Sequence, residues 1–362
     1  MSELSTEKSE ATSPSSRRQL LASLLYRTGL IAGVSMVRSA FVRDLRILAY
    51  HRVFSIEDED TFDFDLELIS AAEGEFRQQM RLLKRRYNPI RFRDVIEAFE
   101  TGRPLPQRPV IVTFDDGYDD NFRIAFPILR ELGVPATFFV STGHIKSGLP
   151  YSYDWFVYMM LRTKAGHLRI TELDVDQDLP ESRQQRRVLA DDLLDRMKWL
   201  GAEVQKSIIN RLEKDWNLPR VKGHADCRPM TWEQLREMHA DGMEIGSHGV
   251  WHNMLAKLSY DDMSDEVTAS RQAIEHELRA PAQVLSYPVG GTDAYDESVI
   301  AAARTAGYKL ACTYISGTSP IPCESQFELR RLPVERYMDM AWFASLIGIP
   351  EAFSYPSRHR TG

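Results

Sequence analysis

The run PVIVTF, residues 109–114, carries no charge and only one polar side chain, Thr113. A strand with one face in water alternates apolar and polar residues, so an unbroken apolar run predicts a strand covered on both faces. That is the condition of a parallel sheet wrapped by helices. Comparable runs recur as RILAYHRV (46–53), ATFFVST (136–142), MEIGSH (243–248), QVLSYPVGG (283–291), KLACTYIS (309–316) and FELRRLPV (327–334). Between them the period changes to that of helices, as in EFRQQMRLLKRRY, NFRIAFPILRELG, TWEQLREMHADG and DESVIAAARTAGY. Six or seven such units predict an α/β fold, a (β/α) barrel, complete or incomplete, in preference to an open doubly wound sheet.

One stretch breaks the rhythm. Residues 143–229 hold the aromatic run YSYDWFVYMML and a long charged helical pattern, which predict a helical insertion. Following a strand's C-terminal end, it would lie over the barrel mouth and shape a groove. The expected organisation is a disordered tail and basic amphipathic helix over 1–45, the barrel over 46–340, and a C-terminal helix and tail over 341–362.

The formal net charge of -7 and pI near 5.8 argue against a nucleic-acid partner. Three cysteines, Cys227, Cys312 and Cys323, form no C-x-x-C pair and read as packing in a reducing compartment. The segment 16–41 mixes leucines with Arg17, Arg18, Arg27 and Arg38, and its uncharged runs fall short of the roughly 20 residues that span a bilayer. It predicts an amphipathic helix with Leu20, Leu21, Leu24 and Leu25 on one side, lying on an anionic membrane or docked on its own domain. Paired Arg17 and Arg18 resemble an export signal, but Arg27 interrupts the apolar region and no A-x-A site follows. A cytoplasmic chain, peripheral at the inner membrane through residues 17–42, is expected, with export as the alternative.

The chemistry gathers at strand ends. Asp115 and Asp116 close the PVIVTF strand, and Gly117 permits a sharp turn that can send both carboxylates into one pocket. Two adjacent carboxylates coexist cheaply when a cation or a shared proton stands between them. A solvated turn is the plain alternative, and an EF-hand is excluded by Phe126 at the twelfth position. In EIGSHGVWH, His248 and His252 stand four apart and can converge on one ion. With Asp116 they make three ligands with room for water, a set that also suits non-haem iron. His51 ends the first strand at the same rim. The loop LSYPVGG offers the Tyr287 backbone N–H to a developing oxyanion, and alternation turns one of Arg330 and Arg331 inward.

TFDDG, the SHGVWH histidine pair and SYPVGG, in this order within β/α units, resemble the polysaccharide deacetylase family with the NodB-homology domain, carbohydrate esterase family 4. The resemblance covers about residues 46–334 outside the insertion and implies a distorted, incomplete (β/α) barrel. It implies Asp115 as general base and Asp116, His248 and His252 as ligands of a divalent ion, Zn2+ or else Co2+, Ni2+ or Fe2+. The family's third motif often carries an arginine before the proline; Ser286 and Tyr287 stand there, and Arg331 is the candidate substitute. The late L-x-H motif is absent after Val334. The chain is similar to the exopolysaccharide deacetylase subgroup whose general-acid histidine sits on an N-terminal YH strand, which points to His51.

The implied activity is removal of N-acetyl groups from amino sugars of a polysaccharide or its lipid-linked precursor, in exopolysaccharide or cell-envelope biosynthesis. Tyr118, Trp251 and Trp155 are candidates to stack on the sugars of an acetylated polysaccharide or oligosaccharide. A small-molecule amidase and a non-catalytic carbohydrate-binding relative are the alternatives.

Overall fold

Seven parallel strands run in chain order around one closed barrel in the computed structural model, which describes residues 16–354 apart from 324. They are β1 (Asp44–Tyr50), β2 (Pro109–Phe114), β3 (Thr137–Val140), β4 (Glu244–Ser247), β5 (Val284–Ser286), β6 (Leu310–Ser316) and β7 (Leu329–Pro333). Closure comes from β1, which pairs β2 from Arg46↔Val110 to Tyr50↔Phe114 and β7 at Leu48↔Leu332. The barrel is one strand short of the regular eight, and the β6–β7 register shifts between Cys312 and Ser316. Every residue of β1 and β2 is buried, as their apolar runs require.

The helices used below are α1 (Ser16–Arg27), α2 (Leu30–Phe41), α3 (Glu73–Arg86), α4 (Ser152–Arg162), α5 (Arg183–Met197), α6 (Ala202–Asp215), α7 (Tyr260–Leu278) and α8 (Met340–Gly348). In α3, Phe76, Met80 and Leu83 recur at helical spacing and pack on the barrel, each fully buried. Full burial of a side chain of this size stabilises by about 1.5–3 kcal/mol. Glu73 and Glu75 open α3 while Lys84, Arg85 and Arg86 close it, matching charge to the helix dipole.

The insertion follows β3 and contains α4, α5 and α6, together with an antiparallel hairpin, His167–Ile170 with Val175–Asp178, that helical periodicity did not announce. It carries its own apolar core, where Trp155, Phe156, Leu168, Leu193 and Ile208 meet Phe62 and Phe64 from the loop after β1. A wall with its own core can stand beside the barrel mouth without being held by substrate. Residues 1–15 and 355–362, expected as tails, lie outside the described residues.

Candidate active site

The ladder between β1 and β2 continues one residue past the strand, with Asp115 N donating to Tyr50 O at 2.9 Å. The chain then turns sharply, with φ of 73° at Asp116 and 79° at Gly117. Left-handed backbone costs an L-residue roughly 1–2 kcal/mol, but glycine almost nothing. Asp116 is held there by Tyr151, whose hydroxyl donates to the Asp116 carbonyl at 2.5 Å. Gly117 has no room for a side chain, since a Cβ would stand 2.9 Å from Val140 Cγ1. This turn brings both carboxylates, each buried, to the C-terminal rim of the barrel.

His248 follows β4 and His252 closes the next turn with φ of 59°. Asp116 Oδ1 lies 3.5 Å from His248 Nε2 and 3.4 Å from His252 Nε2. Among the described residues, these three form a group whose ligand atoms all lie within 4.8 Å of one another. A tetrahedral ion with ligand bonds of about 2.0–2.2 Å needs ligand atoms roughly 3.3–3.6 Å apart, so both Asp116 spacings suit one. Asp116 Oδ1 and His248 Nε2 are buried and have no hydrogen-bond partner, which is costly unless a cation completes them. His248 Nδ1 sits 2.7 Å from Ser286 O. A carbonyl only accepts, so Nδ1 carries the proton and Nε2 keeps its lone pair for an ion. Tyr153 donates to Asp116 Oδ2 at 3.1 Å, leaving Oδ1 as the inward-facing atom. The residues present therefore fit a divalent metal.

Asp115 is gripped by Arg331 from β7. Nη1 meets Oδ1 and Nη2 meets Oδ2, both at 2.8 Å, with neither side chain exposed. Arg331 is itself aimed by Thr313 O, which accepts from Nε at 2.7 Å, and by Ser286 Oγ, 3.0 Å from Nη2. Burial pushes the Asp115 carboxyl up, but the Arg331 charge, His248, the two fork hydrogen bonds and His51 outweigh it and hold Asp115 well below the usual carboxylate range. Arg331 from the last strand thus tethers Asp115 on both oxygens.

His51 directly follows β1, beside Asp115 across the β1–β2 pair. Its backbone is fixed on both sides, N–H to Ser70 Oγ at 2.9 Å and carbonyl to Asn121 Nδ2 at 2.8 Å. The ring lines the same cavity as Asp116 and His252, and its charge bears on both aspartates.

Three expectations need correction. The Tyr287 backbone N–H does not face the site, because it is committed to Cys312 O at 3.0 Å inside the sheet, and the Tyr287 hydroxyl points away to Phe327 O. Pro288 has no N–H, so Val289 supplies the first main-chain donor beyond the sheet. Val289 lines the cavity in a tight turn closed by Gly290 N to Pro288 O, with φ of 65°, an unusual conformation for a β-branched residue. Tyr118 is fully buried, its hydroxyl donating to Asp154 Oδ2 at 3.2 Å, and Arg52 stacks on its ring. Trp155 is buried in the insertion core, its indole N–H on Leu218 O. Neither ring can meet a sugar. Trp251 does lie at the cavity, 51 % exposed.

Two supports escaped sequence reasoning. Tyr153 belongs to the aromatic run YSYDW, whose period does not reveal which ring reaches back to Asp116. Glu266 on α7 accepts from Val250 N, Trp251 N and Asn253 Nδ2 at 2.6, 3.1 and 2.8 Å, so one carboxylate holds the loop that carries both histidines. The neighbours of the acidic pair are structural. Asp120 binds Arg52 and Val53 N, while Asp119 binds Arg123, Arg228 and Gln234.

The sequence profile described as polysaccharide deacetylase matches residues 102–311, more than half of the chain. The chain belongs to the polysaccharide deacetylase family. His51 and Arg331 both fall outside the matched span. Among curated relatives of this polysaccharide deacetylase, the Bacillus subtilis (strain 168) protein YxkH, a candidate polysaccharide deacetylase, is 21% identical over 304 residues, covering 84% of this chain and 76% of its own. The poly-beta-1,6-N-acetyl-D-glucosamine N-deacetylase of Escherichia coli (strain K12) is 32% identical over 111 residues, 30% of this chain but only 15% of that relative's length. Of solved structures, the Streptococcus pyogenes deacetylase PplD in complex with acetate superposes with a TM-score of 0.57 at 19% identity, covering 87% of this chain and 100% of that one. IcaB from Ammonifex degensii gives 0.52 at 18% identity, covering 84% and 96%. These two likenesses show the fold.

Proposed function

We propose that this polysaccharide deacetylase is a metal-dependent hydrolase that removes N-acetyl groups from amino sugars of an exopolysaccharide or of its lipid-linked precursor. The observation that carries the reading is the pairing of two adjacent aspartates with opposite surroundings. Asp116 presents a buried oxygen to two imidazoles, while Asp115 is locked to Arg331. The poly-beta-1,6-N-acetyl-D-glucosamine deacetylases among the relatives support an acetylated amino-sugar polymer as substrate.

Asp116, His248 and His252 would hold a divalent ion, which when bound supplies Lewis-acid activation of water and of the acetyl carbonyl. Asp115 stays ionised beside Arg331 and accepts the proton of the attacking water. His51 delivers a proton to the sugar nitrogen, which as an amide anion is too poor a leaving group to depart unaided. Acetate and a free amine result. Trp251 offers an apolar face at the cavity for a sugar ring.

The test is acetate release from acetylated glucosamine polymers by protein reconstituted with Zn2+, Co2+ or Ni2+. Asp115→Asn and His51→Ala should each lose at least about 100-fold in kcat/KM, the scale of a removed general base or acid. Full turnover in both variants would refute the roles, and turnover that survives chelation would refute the metal. Equal activity on monomeric amides would favour a small-molecule amidase.

A further inference from the structure

The helices α1 and α2 were expected to form one amphipathic helix; they form two, meeting at 92° where Gly29 takes φ of 73°. Neither is long and apolar enough to cross a membrane by itself. Their inner side is anchored. Ala22 and Ile31 are buried, Ser35 Oγ lies 3.2 Å from the Tyr87 hydroxyl, and Gly348 of α8 lets Ile31 and Ser35 approach closely. Arg38 ties the end of α2 to Asp44 and Glu351.

Their outer side is bare among the described residues. Of seventeen large apolar side chains exposed among the described residues, ten lie between Leu20 and Val42. On α2, Leu30, Val34, Val37 and Phe41 fall at i, i+4, i+7 and i+11, one continuous outward stripe, with Phe41 84% exposed. The charge is equally one-sided. Residues 16–43 contain five arginines and no acidic residue, in a chain whose net charge is -7. Four of the five, Arg17, Arg18, Arg27 and Arg43, are exposed and flank the apolar stripe.

We propose that this outward face docks on an anionic lipid surface, with the leucines, Val37 and Phe41 in the acyl boundary and the four arginines among the headgroups. A protein partner would also cover apolar area, but four exposed arginines in a segment with no acidic residue of its own, beside an apolar stripe, match a negatively charged bilayer. Because α2 leads into Asp44, the first residue of β1, it meets the barrel at the end away from the mouth. Docking there leaves the cavity, about 20 Å along β1, open to water. The inference concerns placement and does not rest on the deacetylase chemistry.

The test is co-sedimentation of the full chain with vesicles of phosphatidylglycerol and phosphatidylcholine, against phosphatidylcholine alone. Binding should require the anionic lipid and fall with salt. Val37→Asp with Phe41→Asp should weaken it at least about ten-fold, and Arg17→Gln with Arg18→Gln about five-fold for each arginine. Both double variants should keep the unfolding temperature and the solution rate of acetate release. Absence of vesicle binding, equal binding to phosphatidylcholine alone, or undiminished binding of the Val37/Phe41 variant would overturn the proposal. So would a concentration-dependent dimer, lost in that variant, without lipid binding, which would make a second copy the occupant.

Discussion

Replacing Arg331 by Met keeps much of the side chain's length and removes its charge. Arg331 makes two 2.8 Å bonds to Asp115 with neither group exposed. Removing one partner of such a pair strands the other charge in a low-dielectric interior, at a cost of about 3–5 kcal/mol. What remains near Asp115 is weak, Ser286 Oγ at 3.5 Å and His248 Nε2 at 3.9 Å. Burial, the largest influence on Asp115, would then act with little opposition and raise its carboxyl. Urea unfolding should report a loss of about 3–5 kcal/mol. The acid limb of the kcat/KM profile should move to higher pH, since Asp115 must be ionised to accept a proton. Arg331→Met combined with Asp115→Asn should recover much of the lost stability, because a neutral amide no longer needs the guanidinium. A stability change under about 1 kcal/mol with an unmoved acid limb would refute the reasoning.

Tyr153→Phe removes the donor to Asp116 Oδ2 and should weaken metal affinity about 10–100-fold by calorimetry, with little change in unfolding temperature. Gly143→Ala would set a Cβ 2.8 Å from the Trp251 ring and from Val250 O, so KM for polymeric substrate should rise more than for a short oligosaccharide. His144, its ring tilted against Tyr151 at 3.9 Å, has its pKa pushed down by burial to about 4. It is neutral in the fold, so its contribution is complete above the unfolded value near 6.5 and is lost as pH falls toward 4, at most about 3 kcal/mol. Unfolding free energies at pH 7 and pH 5 should therefore differ less in His144→Gln than in the parent. Asp154 shows the opposite sign. Burial raises its pKa to about 7, so it costs stability as pH rises from the unfolded value through 7, and Asp154→Asn should raise the unfolding temperature more at pH 8 than at pH 5.

Much of this protein could be read from local pattern. PVIVTF has no polar face to give to water, so a parallel strand inside a layer of helices was the available outcome, and β2 is buried throughout. Asp115, Asp116 and His248 sit directly after strands, with His252 one turn further on, and strand ends of a barrel share one rim. Their convergence followed from β/α alternation. The general position of Arg331 followed from the same alternation.

What the tertiary structure alone decided involves contacts between residues distant in the chain. Arg331 reaches Asp115 across 216 positions, and only barrel closure selects it over Arg330. The N–H of Tyr287 was spent on Cys312 because β5 and β6 pair in register there, which takes it out of the site. Tyr118, Tyr153 and Trp155 look alike in sequence, yet one packs on Arg52, one holds Asp116 and one fills the insertion core. Periodicity tells which residues are apolar and when the backbone turns. Which ring meets which carboxylate depends on how separate elements pack, and that is set by the whole barrel.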